Sequence, residues 1–266
     1  MSNNRFEELD YFIFCTTNER YIENTYVSLK SFYEYNDYPV TVFLIDCETN
    51  RFDEFEKVST EKLDFEFLEK HHHYQDAVKP IIAKIKIFED SKHSYNLSFD
   101  TDTLFVGKID DAIQEYKSNL IGTNEIEKGD INAGFMIYHK TENINLFEKF
   151  EEFRKSHGFF NCPEETFLNI VFKDSREFIS KKFNRNYWTG EAEDVVMIHY
   201  AGINKPFSFF NLSYPYLIDV VLKDFKFYYD FCEKLQLSEE FKKNLEKSRK
   251  NYEWTCTLFH HIHKRI

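Results

Sequence analysis

The sequence predicts an α/β fold: a mixed, mostly parallel sheet flanked by helices, followed by a helical C-terminal extension. Three observations carry this. Tyr11-Phe-Ile-Phe-Cys15 is a continuous apolar run and Val40 to Ile45 a second, mostly apolar one, the pattern of strands buried on both faces. Between them Ile22, Tyr26, Leu29, Phe32 and Tyr33 recur at helical spacing, giving a β-α-β start whose crossover should be right-handed. A third apolar run, Tyr95 to Phe99, stops abruptly at Asp100-Thr-Asp102, as a strand does when its carboxyl end opens into a ligand crevice.

The remaining elements follow in order. The helix over 20–35 is stopped by Asn36-Asp-Tyr-Pro39. A short strand is expected at Leu63 to Leu68. Pro80 to His93 reads as a helix with Ile81, Ile82, Ile85 and Phe88 on one face and Lys84 and Lys86 elsewhere. Leu104 to Val106 is a second apolar run. Ile109 to Tyr116 suggests a short helix and Asn119 to Thr123 a strand. Asn132-Ala-Gly134 reads as a turn feeding a strand that runs to Tyr138, with small residues where something approaches the backbone. Leu146, Phe147, Phe150 and Phe153 mark a helix over 143–154. Pro163-Glu-Glu-Thr-Phe-Leu-Asn169 opens another, its acids also suited to the helix dipole. Residues 178–190 read as polar and aromatic loop. Val195 to Ile198 is a strand ending at His199. Beyond 215 the pattern is helical to about 250. The chain thus divides into a main α/β unit, 1–214, and an extension, 215–266.

Composition limits the function. The 266 residues are 42% hydrophobic, with 30 Phe and 17 Tyr to fill a large core; 7 Gly and 5 Pro argue against repeats. A net charge of -12 with scattered basic residues makes nucleic acid an unexpected partner. Five Cys without a CxxC pair, a polar acidic start and no apolar run near the ~18 residues of a membrane span suggest a cytoplasmic protein.

Two carboxylates one residue apart repel each other, and a core has no use for them. They either cap a strand and begin a turn or hold a hard divalent cation. His199, at another strand end, is the residue type that completes a mixed nitrogen and oxygen site. Gly202 would let a backbone approach a phosphate, and Lys205 would give it a point charge. By contrast, the adjacent side chains of His71-His-His73 diverge, and these read as a solvated loop, as do His260, His261 and His263.

In order, Thr16-Thr-Asn-Glu-Arg-Tyr21, Lys84, Phe99-Asp-Thr-Asp-Thr-Leu104 with Ile109-Asp-Asp111, Asn132-Ala-Gly-Phe135, Glu164-Glu-Thr-Phe-Leu-Asn169 and His199-x-x-Gly-x-x-Lys-Pro206 make a series over residues 12–207. With this series the chain resembles glycosyltransferase family 8, the group of glycogenin and bacterial lipopolysaccharide galactosyl- and glucosyltransferases. The resemblance implies a GT-A (Rossmann-like) fold, Mn²⁺ with Mg²⁺ as the alternative, and a UDP-sugar donor. It implies transfer of a hexose, glucose or galactose, with retention to a carbohydrate or glycoprotein acceptor. A second copy of the chain is a further expected partner. Position by position, Asp100, Asp102 and His199 would ligand the metal. Thr17, Asn18 and Tyr21 would hold the uridine. Lys84, Thr101, Ala133, Gly202 and Lys205 would line the donor and its diphosphate. Asn132, Glu164 and Glu165 would face the donor sugar as the catalytic group. Two departures stand out: family members commonly have Asp-Gln at Glu164-Glu165, and Trp at Phe207.

Two other classes remain. An Asp-x-Asp phosphohydrolase would place its nucleophile after the first strand and need a later Gly-Asp-x-x-x-Asp, but Gly129-Asp130 is followed by Gly134 at that position. A non-catalytic UDP-sugar-binding module would keep the metal and uridine sites without turnover.

Overall fold

The structure, a computed structural model, describes residues 5–63, 79–124, 129–141, 144–157, 163–186, 192–201, 205–206 and 218–263. Seven strands form the main sheet: β1 (Tyr11–Asn18), β2 (Val40–Ile45), β3 (Val58–Leu63), β4 (Tyr95–Phe99), β6 (Leu120–Asn124), β7 (Ile131–His139) and β8 (Arg176–Ile179), in the order β3-β2-β1-β4-β7-β6-β8. β7 is antiparallel to both its neighbours, and every other pairing is parallel. A separate antiparallel ribbon joins β5 (Thr103–Phe105) to β9 (Met197–His199).

The apolar runs have the cause expected of them. Along β1, Tyr11, Ile13 and Cys15 enter one core and Phe14 enters the other, with Phe12 packed against it. The first core lies under α2 (Ile22–Tyr35) and reaches the C-terminal helices α6 (Ile218–Cys232) and α7 (Glu239–His263), through Phe225, Tyr228 and Tyr229. The second lies under α3 (Lys79–Asp90), α4 (Leu146–His157) and α5 (Pro163–Val171). A four-residue helix, α1 (Arg5–Glu8), precedes β1. Aromatic rings supply most of the contact: Phe32, Phe99 and Phe105 meet pairwise at 5.0–5.8 Å, and Phe150 packs on Phe167 at 5.2 Å.

Several expectations shift. β1 continues past Cys15, because Thr16, Thr17 and Asn18 stay paired with Phe43, Leu44 and Ile45. Asn132-Ala-Gly134 is not a turn but lies inside β7, where the register against β6 slips: Gly122 pairs with Met136 but Asn124 with Ile131, so the extra residues are in β7. β3 falls at Val58–Leu63, a polar edge strand whose inner residues are exposed; residues 64–68 lie outside the described ones. β8 is an edge strand too, with too few apolar residues to mark it in a stretch that reads as loop. The helix expected over 109–116 is a single 3₁₀ turn, Asp110–Ala112. Among the described residues, no helix is long and apolar enough to cross a membrane. Cys15, Cys47, Cys232 and Cys256 are free thiols; Cys162 lies outside the described residues.

Candidate functional site

β4 is central and buried at all five positions, so the chain that leaves its carboxyl end emerges in mid-sheet. There the Asp100 N–H donates to the Gly134 carbonyl at 3.0 Å, and Thr103 Oγ1 donates to the Asp100 carbonyl at 2.7 Å. This closes a tight turn that aims Asp100 and Asp102 the same way. The β5–β9 ribbon pairs Thr103 with His199, and the Tyr200 N–H donates to the Asp102 carbonyl at 2.9 Å. Nearly a hundred residues of sequence are thereby crossed by one strand pair of three residues each.

The result is a compact trio. His199 Nε2 lies 3.6 Å from Asp100 Oδ2 and 3.4 Å from Asp102 Oδ1. One ligand atom from each residue can be chosen so that all three lie within 4.8 Å of one another. Adjacent ligands of an octahedral ion, each ~2.1 Å from it, stand roughly 3 Å apart, so the spacing suits a small divalent cation. His199 is 5% exposed, and its imidazole fits only because residue 134 has no side chain: a Cβ there would lie 2.1 Å from Nδ1. The small residues of β7 make room for a side chain of this protein.

Cations flank the acids. Lys84 sits on the buried side of α3, 2% exposed, paired with Asp100; it also donates to the Ala133 carbonyl at 3.2 Å and lies 3.9 Å from Glu164 Oε1. Burial pulls the Lys84 ammonium down, but Asp100 and Glu164 outweigh it and hold it above the ordinary lysine value. Burial likewise pushes Asp100 up, and Lys84 and His199 more than reverse that, leaving it ionised below the usual range. Lys205 pairs with Asp102, and burial lowers its ammonium to about 8.

A buried hydrogen-bonded layer backs the trio. Glu165 Oε2 accepts from the Ala133 N–H at 3.0 Å and from Asn132 Nδ2 at 3.1 Å. Asn132 Oδ1 accepts from the Gly134 N–H at 3.0 Å and from Asn184 Nδ2 at 2.8 Å; Asn184 Oδ1 in turn meets His199 Nδ1 at 3.0 Å. Asn169 ties α5 to β7, accepting from the Ile131 N–H and donating to the Ile131 carbonyl, each at 2.8 Å. Glu164 is different. Its Oε2 is buried with no hydrogen-bond partner, and burial raises its carboxyl above the ordinary value.

Asp100, Asp102, His199, Lys84, Lys205, Asn132, Ala133, Glu164 and Glu165 therefore come together. Tyr21 and Thr101 line one cleft with Lys84, both aspartates and Lys205. Thr16 lines it as well, though the sequence points to its neighbour. Thr17 is fully buried instead, its hydroxyl bonded to Thr25 at 2.8 Å and to the Asn18 carbonyl at 3.3 Å. Asn18 is also buried, at the end of β1. Gly202, Phe207 and His71 to His73 lie outside the described residues, as do the side chains of His260, His261 and His263. Asn184 escapes sequence analysis because an Asn in a polar, aromatic stretch carries no spacing signal.

The sequence matches no family model and no curated protein. Its structure, however, superposes on galactosyltransferase LgtC, solved with donor and acceptor sugar analogs, with a TM-score of 0.70 over 88% of this chain and 100% of that one, at 14% identity. The chain has a GT-A glycosyltransferase fold. The glycosyltransferase GlyE of Streptococcus pneumoniae TIGR4 gives 0.61 over 85% of this chain and 63% of that one, also at 14% identity. The bifunctional glycosyltransferase WbbM gives 0.65 over 90% of this chain and 52% of that one, at 15% identity. At these identities the likeness is one of fold: a mixed, mostly parallel seven-stranded sheet between helices.

Proposed function

We propose that the protein is a divalent-metal-dependent, retaining glycosyltransferase of family 8 that moves a hexose from a UDP-sugar to a carbohydrate or glycoprotein acceptor. One observation carries this reading: Asp100, Asp102 and His199 come together at the carboxyl end of the sheet of a GT-A glycosyltransferase fold. An imidazole lone pair on Nε2, facing two carboxylates at 3.4 and 3.6 Å, is repulsive unless a cation joins them.

In this reading the trio holds Mn²⁺ or Mg²⁺, which as a Lewis acid would stabilise the departing diphosphate. Lys205 adds a second positive charge to the same anion and exchanges Asp102 for phosphate when donor binds. Lys84 stays buried and keeps Asp100 ionised. Tyr21 stacks the base, with Asn18 beside it at the end of β1. Gly202 and Thr101 line the diphosphate. Asn132 and Glu164 face the sugar. The unpartnered Glu164 Oε2 suits a sugar hydroxyl or positive charge developing at the anomeric carbon. Glu165 is committed to Asn132 and the Ala133 N–H, which favours attack from the face that UDP leaves, without a covalent Glu165 adduct. Residues 1–214 would form the catalytic unit and 215–266 a packed extension.

A thermal-shift series tests the whole. Ligand at one hundred times its dissociation constant stabilises by about 2.7 kcal/mol. UDP with Mn²⁺ should give such a shift, UDP in EDTA little or none, and GDP or ADP clearly less. An equal response in EDTA refutes the metal site, and an equal response to GDP refutes the uridine assignment. Hydrolysis or transfer of the sugar, with and without candidate acceptors, separates a transferase from a binding module.

A further inference from the structure

We propose that Asn184 is a positioning residue: it fixes His199 as the Nδ1–H tautomer and so turns the Nε2 lone pair toward Asp100 and Asp102. This rests on reading the trio as a cation site. The argument starts from groups whose polarity admits no choice. A backbone N–H only donates, so the atom of Asn132 that meets the Gly134 N–H at 3.0 Å is its oxygen. The other end of the Asn132 amide is then the nitrogen, which agrees with the Glu165 carboxylate it meets at 3.1 Å. Asn132 Oδ1 can only accept from Asn184, so the Asn184 atom 2.8 Å away is its nitrogen. Its oxygen therefore points to His199 Nδ1, 3.0 Å away, and an amide oxygen can only accept. Nδ1 must carry the hydrogen. A neutral imidazole then has its lone pair on Nε2. The polarity of one backbone amide in β7 is thus handed across two side chains to His199 Nδ1, the nitrogen opposite the one that faces the aspartates.

Asn184 is itself held in place. It is fully buried. Its neighbour Arg185 donates its N–H to the Met197 carbonyl at 3.0 Å and accepts from the His199 N–H at 2.8 Å, which docks this segment along β9. Phe183 stacks on Phe135 at 5.9 Å. The Arg185 side chain pairs with buried Asp224 of α6. Without the Asn184 acceptor, His199 could place its hydrogen on Nε2 and donate it to either aspartate. That bond would satisfy the imidazole and one carboxylate and oppose an ion at Nε2.

The test compares Asn184→Ala with Asn184→Asp. Aspartate still accepts from Nδ1–H but cannot donate to Asn132, so it restores the tautomer without restoring the packing network. Long-range ¹H–¹⁵N correlations of the imidazole are recorded on metal-free protein at alkaline pH, with His199 assigned by its loss in His199→Gln. Affinity for Mn²⁺ added alone is measured by calorimetry. We expect Nδ1–H in the wild type, loss of that pattern and 10–100-fold weaker Mn²⁺ binding in Asn184→Ala, and recovery of both in Asn184→Asp. Asn184→Leu, of similar volume, replaces the Ala variant if that fails to fold. A non-accepting variant with the wild-type tautomer overturns the proposal, as does an Asp variant no better than Ala. If folded wild type binds no Mn²⁺, the cation reading fails, while the spectra still decide the role of Asn184.

Discussion

The two ends of the sheet carry the same residue types and do different things with them. At the amino end, Asp10 meets His93 Nδ1 in a direct 2.8 Å hydrogen bond, with the side chains 52% and 44% exposed. Asp10 also accepts from the Ser94 N–H at 2.9 Å, and His93 stacks on Phe12. Such an exposed pair contributes about 0–1 kcal/mol. At the carboxyl end, buried His199 faces two aspartates at 3.4 and 3.6 Å, whose side chains are 12% and 30% exposed, with two lysines beside them. Burying charges costs several kcal/mol per ion unless each is matched. The difference lies in what the second imidazole nitrogen touches. At the surface it is free to share the carboxylate's needs with solvent; in the site Asn184 has already taken Nδ1.

The largest break in this contrast is Asp102→Asn. On the proposed reading this removes an anionic ligand and should cost on the order of 10³-fold in transfer rate, a loss of several kcal/mol of Lewis-acid stabilisation. The Mn²⁺ dependence of UDP binding should vanish while unfolding stays cooperative. A variant that still needs Mn²⁺ at the wild-type concentration would show that Asp102 is not a ligand.

The next effect separates two carboxylates of α5 that are adjacent in sequence. Glu164 has an unpartnered buried oxygen, whereas Glu165 is spent on β7. Glu164→Gln should lower turnover on the order of 10²-fold, the loss seen when one group stabilising transition-state charge is removed. Glu165→Gln keeps an oxygen for the Ala133 N–H and should stay within about tenfold of wild type. A dead Glu165→Gln, with a glycosyl adduct trapped on Glu165 by mass spectrometry, would reverse these roles.

Gly134→Ala should be milder for catalysis and sharper for geometry. The new Cβ would lie 2.1 Å from the imidazole, and the ring must move. We expect Mn²⁺ affinity to fall about 10–100-fold and stability to fall by about 1–3 kcal/mol, the usual cost of overpacking. Unchanged calorimetry would mean that the ring position is not critical.

These expectations mix what the residues announce with what only the fold reveals. The buried strands were legible because a strand covered on both faces is apolar along most of its length, as Tyr11 to Cys15 and Val40 to Ile45 are. The acid pair was legible because a core cannot explain it. The edge strands β3 and β8 were not, since their inner residues are exposed and Val58-Ser-Thr-Glu-Lys-Leu63 has no strong period. Asn132-Ala-Gly134 announced close contact but not with what, because the answer, His199, is brought in by a strand pair 65 residues on. Asn184 gave no signal at all: one polar residue's partners are a property of tertiary placement.

The smallest effect closes the comparison from the other end. Burial nudges the Asp10 carboxyl up, but the hydrogen bond to His93 and that from the Ser94 N–H more than offset it, so Asp10 sits below the ordinary value. A carboxyl whose folded value is depressed adds stability above its unfolded pKa, and loses it as pH falls through the folded value. The wild type should therefore lose slightly more stability on acidification, from above about pH 4 downward, than Asp10→Asn does. Asn keeps an acceptor for the Ser94 N–H and tolerates the left-handed backbone at residue 10, where φ is 51°. At neutral pH the variant should cost under about 1 kcal/mol, read from denaturant unfolding, and leave Mn²⁺ and UDP affinity untouched. The salt dependence should follow, since an exposed pair is screened with a Debye length of about 8 Å at physiological ionic strength. If Asp10→Asn instead weakened Mn²⁺ binding, the two ends of the sheet would be coupled through β1 and β4, and the surface Asp–His pair could no longer serve as the inert counterpart of the buried one.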